Sequence, residues 1–189
     1  MVFPGRGSAG YDPDMKEANE SAGRVEELSR VVLAEARARG LTICCAESCT
    51  GGLLSGALTD NAGSSDVFAG GVVSYSNRSK TRILKVSEEL IQEHGAVSEE
   101  CALAMALGAL NLFESDIACS VTGIAGPGGA VPGKPVGLVW FAVTSSSGSK
   151  VFERYFKGDR RSIREMAVAS ALAEVVVALR RARGVDHGC

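Results

Sequence analysis

The sequence predicts an α/β protein, a three-layer α/β/α sandwich built around a mixed, mostly parallel β-sheet. Two observations support this prediction. Short apolar runs typical of buried strands alternate with longer stretches of helical periodicity, the pattern of a parallel sheet covered by helices. Near the end of the chain, two strand-like runs are separated by only SSGS, which predicts an antiparallel hairpin. The length of 189 residues suits one domain with a single substantial core.

The first half of the chain is predicted to contain two strands, each followed by a helical segment. Residues 21–38 repeat apolar side chains at helical spacing, and Gly40 is a suitable stop for that helix. The run LTICCA is short and largely apolar, as expected of a strand buried on both faces. The predicted elements are a helix at 21–38, a strand at 41–46, a helix at 51–60, a loop at 61–65, a strand at 68–76 and a turn with a short helix at 77–86.

The second half continues the alternation. A helix at 87–95 opens at a serine and closes at a glycine, and a longer helix at 98–113 is capped by Ser98. A strand at 116–122 leads into a glycine- and proline-rich loop, which excludes a regular element there. The remaining predicted elements are this loop at 123–135, the hairpin strands at 136–145 and 150–156, and a long final helix capped by Asp159. We expect residues 1–20 to be a disordered leader, residues 21–184 the domain and residues 185–189 a tail.

Composition argues against several classes of protein. The net charge is −2 with both signs spread along the chain, so no nucleic-acid footprint is visible. No apolar run approaches the roughly 20 residues that span a bilayer, and the N-terminus lacks the pattern of a secretory signal. The six cysteines form no CxxC pair and only two histidines exist, so we expect reduced thiols in a cytoplasmic protein and no metal site.

Residues 44–52, CCAESCTGG, are the first candidate for chemistry. A strand that enters a glycine-rich turn before a helix exposes main-chain N–H groups, which attract a phosphate or a developing oxyanion. The lysine of a P-loop and the GxGxxG pattern are both missing. Three interpretations stay open at this point: Ser48 is a nucleophile, Cys49 is one, or the turn holds a phosphate. A simpler alternative is that Ser48 or Thr50 only caps the helix.

A nucleophilic serine needs a base, and the two histidines are poorly placed, since His187 lies in the tail and His94 ends a polar helix. A lysine of lowered pKa can replace histidine. Tyr75 ends the second strand and Lys80 follows just past a turn. Because ligands gather where the strands of an α/β sheet end, Ser48 and Tyr75 are expected at the same side of the sheet.

Four separated motifs now identify a resemblance: AESCTGG (46–52), GGVVSYSNRSK (70–80), GAVSEE (95–100) and SVTGIAGPGG (120–129). In this order and spacing they resemble the C-terminal domain of the CinA family, which includes the nicotinamide-nucleotide amidohydrolases. The resemblance runs from about residue 23 to 182. It implies hydrolysis of the carboxamide of nicotinamide mononucleotide (NMN) to nicotinate mononucleotide and ammonia by a serine–tyrosine–lysine site, here Ser48, Tyr75 and Lys80.

The resemblance also implies roles for the surrounding residues. Ser48 would attack the amide carbon with Lys80 as base, directly or through Tyr75, and Thr50 and Gly51 would hold the oxyanion with their N–H groups. Glu47 would orient Lys80 or Thr50, or would be purely structural. No metal or redox cofactor is needed. The other candidates for binding the pyridine nucleotide and its phosphate are Gly52, Thr122, Gly123, Gly126, Arg160 and Arg164, with Arg78 weaker.

Two rival interpretations remain. In the first, Cys49 is the nucleophile, with its pKa lowered at a helix N-terminus. In the second, the protein binds a nucleotide or a partner without turnover, as a competence- or damage-inducible protein often fused to a second domain for which this chain has no room. We expect no nucleic-acid or membrane partner. Apolar faces such as that of 98–113 suit a homo-oligomer.

Overall fold

The computed structural model describes residues 13–182, with side chains from residue 23 onward. Within this range the helices are α1 (Pro13–Arg39), α2 (Leu53–Thr59), α3 (Asn77–Leu84), α4 (Glu88–His94), α5 (Glu99–Phe113) and α6 (Arg160–Arg181), with a short 3₁₀ turn at Ser64–Asp66. The strands are β1 (Ile43–Glu47), β2 (Phe68–Val73), β3 (Ile117–Gly123), β4 (Leu138–Ser145) and β5 (Gly148–Tyr155).

The five strands form one sheet in the order β2–β1–β3–β4–β5. Strand β1 pairs in parallel with both β2 and β3, whereas β4 is antiparallel to β3 and to β5. Four strands therefore run in one direction and β4 runs in the other, which confirms the predicted mixed, mostly parallel sheet. The ends of β1, β2 and β3 consequently meet at one side of the molecule, called here the carboxyl end of the sheet.

Helices cover both faces of the sheet, which confirms the predicted sandwich. The core between the sheet and α1, α2 and α6 includes Cys45 of β1, whereas the core towards α3, α4 and α5 includes its neighbour Cys44. Every residue of β1 is buried, because successive side chains of a central parallel strand point into opposite cores. None of the helices in residues 13–182 combines the length and apolarity needed to cross a membrane.

The predicted elements are all found, with shifted ends. Helix α1 begins at Pro13, so that residues 13–20 are helical where a disordered leader was predicted; proline is favoured at a first helical position. Helix α2 begins two positions later than predicted, because Gly51 and Gly52 have φ angles of 59° and 97° and so lie outside the helix. Residues 1–12 of the predicted leader and the tail at 185–189 fall outside the described residues, and the domain boundaries stay predictions.

Helix α3 is held against α5 by a close approach that only a glycine permits. A Cβ atom on Gly108 of α5 would lie 2.0 Å from the main-chain oxygen of Leu84, the last residue of α3. Since that neighbour is a backbone atom, it cannot rotate away. The position of α3 relative to the sheet therefore depends on Gly108.

We predict that Gly108→Ala lowers the free energy of unfolding by about 1–3 kcal/mol, the usual cost of overpacking. The matched control is Gly23→Ala in α1, where an added Cβ meets no atom within 4 Å. Alanine favours helix there, so an increase of up to about 1 kcal/mol is expected. Chemical denaturation of both variants tests this; equal stabilities of Gly108→Ala and the unmodified protein would contradict it.

Candidate active site

The turn after β1 places Ser48 at the carboxyl end of the central strands. The Ser48 N–H donates to the Val121 oxygen of β3 at 2.9 Å, which continues the β1–β3 pairing by one residue. The Ser48 oxygen accepts a hydrogen bond from the Gly51 N–H at 3.1 Å and so closes a tight turn. Gly51 and Gly52 take positive φ angles that other residues rarely adopt. Residues 48–52 are called here the Ser48 turn.

Helix α3 brings Lys80 to Ser48. The helix begins with a capping box in which the Ser76 hydroxyl accepts from the Ser79 N–H and the Ser79 hydroxyl accepts from the Ser76 N–H. Lys80 follows in the first turn and is only 1% exposed. Its Nζ lies 2.9 Å from Ser48 Oγ and donates to the main-chain oxygen of Ser74 at 2.7 Å. The predicted pairing of a serine with a lysine is therefore present in the structure.

Burial lowers the pKa of Lys80. The neighbouring thiols of Cys101 and Cys49 would oppose this shift if they were ionised. However, burial also raises the pKa of Cys101, and it raises that of Cys49 to about 12, so both thiols are neutral near pH 7. In the described part of the chain, no carboxylate forms an ion pair with Lys80. The surroundings thus favour the neutral amine that a base requires.

Cys49 does not have the properties of a nucleophile. Its side chain is buried, and its pKa is shifted up rather than down. A thiol of this kind holds its proton at neutral pH, whereas thiol hydrolases use the thiolate. The expectation of a lowered pKa was wrong because the loss of hydration at this buried position outweighs the nearby positive charges.

The start of α2 is occupied by the carboxylate of Glu47. One carboxylate oxygen accepts hydrogen bonds from the N–H groups of Gly52 (3.0 Å) and Leu54 (3.1 Å). The other accepts from the N–H and the hydroxyl of Ser55, at 2.8 and 2.6 Å. Glu47 is fully buried, so a phosphate cannot reach these donors. Among the described residues, the Glu47 side chain forms no hydrogen bond with Lys80 or Thr50, so it does not orient either of them directly.

The occupied N–H groups correct two further expectations. Gly52 donates to Glu47 and Gly51 donates to Ser48, so neither has a free N–H for a substrate. The helix cap is not formed by a hydroxyl of Ser48 or Thr50, because Gly52 is the cap residue and Glu47 binds its N–H. Among the main-chain hydrogen bonds of the described residues, the N–H groups of Cys49 and Thr50 donate to no oxygen. These two are the donors of the Ser48 turn that remain available.

Arg164 of α6 binds the opposite side of the Ser48 turn. Its Nε donates to the Cys49 oxygen at 3.1 Å and a terminal nitrogen donates to the Thr50 oxygen at 2.7 Å. The guanidinium was expected to bind the phosphate of a nucleotide. Both of these donors instead hold the protein's own main chain.

Arg160, one turn earlier in α6, joins two other parts of the site. One terminal nitrogen donates to the Gly126 oxygen and the other to the Tyr75 hydroxyl, each at 2.8 Å. Tyr75 is 60% exposed, and no hydrogen bond among the described residues connects it to Ser48 or Lys80. Of the three residues expected to act together, only Ser48 and Lys80 are in contact, whereas Tyr75 is bonded to Arg160. Among the side chains that the structure describes, residues 23–182, no carboxylate forms an ion pair with Arg160.

Close packing explains the residue types at several positions in and next to the glycine-rich loop after β3. The Thr122 hydroxyl, expected to bind substrate, is buried and donates to the Ala96 oxygen at 2.7 Å. A Cβ atom on Gly123 would lie 2.7 Å from the Leu138 oxygen, and one on Gly126 would lie 2.7 Å from a methyl group of Val136. Beside this loop, a groove of about 480 Å³ is lined by Gly126, Pro127, Val136, Arg160 and Arg164 among others.

Sequence reasoning missed the part played by Ser74. Its main-chain oxygen accepts a hydrogen bond from Lys80, and its N–H donates to the main-chain oxygen of Glu47 at 2.8 Å. Every residue type except proline offers these two main-chain groups, so the sequence carries no signal for them. Taken together, a buried amine that touches a hydroxyl beside free N–H donors is suited to attack on a carbonyl. No group of three or more histidine, cysteine or acidic side chains in the described residues is arranged to hold a metal ion.

Comparison with known proteins finds related sequences over most of the chain. The model of the CinA C-terminal domain family matches residues 25–179. The chain is 47% identical over 147 residues to the nicotinamide-nucleotide amidohydrolase PncC of Escherichia coli strain K12, covering 77% of this chain and 89% of that protein. It is 54% identical over 134 residues to a CinA-like protein of Mycolicibacterium gilvum, covering 70% of this chain and 32% of that protein. The chain thus spans about a third of the length of such CinA-like relatives.

Solved structures show the same fold. The competence/damage inducible protein CihA of Agrobacterium tumefaciens superimposes with a TM-score of 0.80 at 45% identity, covering 84% of this chain and 96% of that one. The competence damage-inducible protein A (ComA) of Klebsiella pneumoniae gives a TM-score of 0.81 at 38% identity, covering 83% and 98%.

We predict that labelling of Ser48 by a fluorophosphonate accelerates with pH, because only neutral Lys80 can accept the Ser48 proton. Burial lowers the pKa of Lys80, so the midpoint of this rise is expected below the ordinary lysine value of 10.5. Labelling rates followed by mass spectrometry from neutral to alkaline pH test this. Lys80→Arg should abolish the labelling, since arginine stays charged. A midpoint at or above 10.5 would show that Lys80 is not the base.

Proposed function

The chain belongs to the CinA C-terminal domain family, and on that premise we propose that it hydrolyses the carboxamide of NMN to nicotinate mononucleotide and ammonia. The observation that carries the proposal is the contact of 2.9 Å between Lys80 Nζ and Ser48 Oγ. The relatives called nicotinamide-nucleotide amidohydrolase support the choice of substrate, because this chain covers 89% of the Escherichia coli protein of that name.

In the first step, neutral Lys80 takes the proton of the Ser48 hydroxyl while Ser48 Oγ attacks the amide carbon. Lys80 Nζ donates to both Ser48 Oγ and the Ser74 oxygen; once the amine is neutral, it can keep the hydrogen bond to Ser74 and accept the Ser48 proton with its lone pair. The direct contact favours proton transfer without Tyr75 as an intermediary. Lys80 then gives its proton to the leaving nitrogen, ammonia departs, and a nicotinoyl ester remains on Ser48.

The negative charge on the carbonyl oxygen needs hydrogen-bond donors. The N–H groups of Cys49 and Thr50 are available for it, whereas those of Gly51 and Gly52 already have acceptors. This replaces the expected pair of Thr50 and Gly51. A water molecule, deprotonated by Lys80, then attacks the ester and releases nicotinate mononucleotide with the Ser48 hydroxyl restored.

Arg160 is the side chain best suited to the phosphate of the substrate. Its guanidinium binds only neutral oxygens, those of Gly126 and Tyr75, so its charge is uncompensated within the described residues. Arg160 lines the groove beside the glycine-rich loop, and Tyr75 is joined to Arg160 by the hydrogen bond to its hydroxyl. We assign both residues to nucleotide binding. The expectations of a cytoplasmic location and of a homo-oligomer stay predictions.

We predict that Ser48→Ala lowers the rate of ammonia release from NMN by at least about 10⁴-fold, as expected when a nucleophile is removed. A coupled ammonia assay on purified protein measures this, with Ser147→Ala in the β4–β5 turn as a control that should retain turnover. An equally large loss in Cys49→Ala would transfer the role to the thiol. Binding of NMN without ammonia release by the unmodified protein would favour the non-catalytic alternative.

We predict that Arg160→Gln raises the KM for NMN by about 10–100-fold, the value of a lost hydrogen bond to a charged group. Nicotinamide riboside lacks the phosphate, so its kcat/KM should change little. Arg180→Gln is the matched control, because Arg180 lies in the last turn of α6, where it pairs with Glu35. An equal loss with both substrates would mean that Arg160 acts through Tyr75 or Gly126 and does not bind the phosphate.

A further inference from the structure

Two residues of opposite charge hold the Ser48 turn from its two sides. The Glu47 carboxylate accepts hydrogen bonds from the N–H of the last residue of the turn and from N–H groups in the first turn of α2, and the Arg164 guanidinium donates to two oxygens within the turn. Each residue bonds to a different set of main-chain atoms, and no ion pair joins the two. Glu47 and Arg164 are called here the turn clamp.

The Arg164 side of the clamp fixes the direction of a main-chain N–H group. In a trans peptide the C=O and the following N–H point in opposite directions. Since Arg164 binds the Cys49 oxygen at 3.1 Å, the N–H of Thr50 must point away from the guanidinium. In the same way, binding of the Thr50 oxygen at 2.7 Å directs the Gly51 N–H towards Ser48. Arg164 therefore sets the orientation of a donor proposed above for the oxyanion.

The Glu47 side of the clamp fixes both ends of the turn. The main chain of Glu47 precedes Ser48 directly, and its side chain reaches forward to the N–H groups of Gly52, Leu54 and Ser55. An anion is stabilised by the free N–H groups and the dipole at the start of a helix. A neutral side chain would lose this attraction. Glu47 thereby ties the residue before the nucleophile to the helix after it.

We propose that Glu47 and Arg164 are positioning residues that orient Ser48 and the Thr50 N–H for attack, and that Arg164 does not bind substrate. The proposal rests on the function proposed above. It assigns to Glu47 a role in catalysis that operates entirely through the main chain. It also separates Arg164 from Arg160, which lies four positions earlier in the same helix and binds different groups.

The kinetic test uses Arg164→Lys and Glu47→Gln. Lysine cannot donate from two fixed nitrogens to two oxygens, and glutamine places an NH₂ group against N–H donors. Because a displacement of about 1 Å can cost about 10²-fold in rate, we expect kcat to fall about 10²-fold with the KM for NMN within about threefold of the original. The loss in kcat should be equal for NMN and nicotinamide riboside. A KM that rises for NMN alone in Arg164→Lys would show phosphate binding and overturn the proposal.

The labelling test does not depend on the substrate. The rate at which a fluorophosphonate labels Ser48 should fall in both variants, while the pH midpoint of labelling stays that of the unmodified protein, since Lys80 remains buried. This result is obtainable even if the protein releases no ammonia from NMN, so failure of the clamp and failure of the proposed function are distinguishable. Unchanged labelling in a folded Arg164→Lys variant would overturn the proposal.

Matched controls separate positioning from a general loss of stability. Glu174→Gln and Arg180→Gln remove residues of ion pairs distant from the turn, with Lys150 and Glu35 respectively. Both should leave kcat and labelling unchanged. If Glu47→Gln does not fold, Ser55→Ala replaces it in the test, because it removes only the Ser55 hydroxyl, which donates to Glu47 at 2.6 Å. We expect a smaller loss in kcat, again with little change in KM. No loss in folded Ser55→Ala and Arg164→Lys would contradict the clamp.

Discussion

The burial of Lys80 is the constraint on which the rest of the site depends. An amine that is 1% exposed loses its hydration, and this loss makes the neutral form accessible. A carboxylate partner would reverse the effect, and among the described residues Lys80 has none, only the oxygens of Ser48 and Ser74. The position of α3 must therefore be held by packing against α5, including the close approach at Gly108, instead of by ion pairs.

A second constraint is the number of N–H donors around the Ser48 turn. The start of a helix attracts anions in general, but here the protein's own Glu47 already occupies that position. Only the donors of the turn itself, from Cys49 and Thr50, are left for the proposed reaction. The carboxylate of Glu47 excludes a phosphate from the start of α2, so the anionic part of a substrate must be bound elsewhere.

The two arginines of α6 show how neighbouring residues of one type take different roles. Arg164 is directed to the oxygens of the Ser48 turn, and Arg160 is directed across the site to Gly126 and Tyr75. Since each guanidinium offers a planar set of donors, each can join two acceptors at once. The first turns of α6 thus connect the Ser48 turn, the glycine-rich loop and the segment that follows β2.

The sequence by itself determined the fold class and the position of Ser48, because the periodicity of apolar residues, the helix caps and the glycines of ESCTGG are local features. The pairing of Ser48 with Lys80 was also predictable, from the family motifs. Only the tertiary structure decided which hydrogen-bond partner each polar side chain takes. Arg160 donates to Tyr75, and Arg164 donates to the Ser48 turn. Glu47 accepts from the start of α2, and Lys80 donates to the oxygen of Ser74. Main-chain groups are the same at nearly every residue, and long side chains reach several of them, so the choice depends on distances that only the packed fold sets.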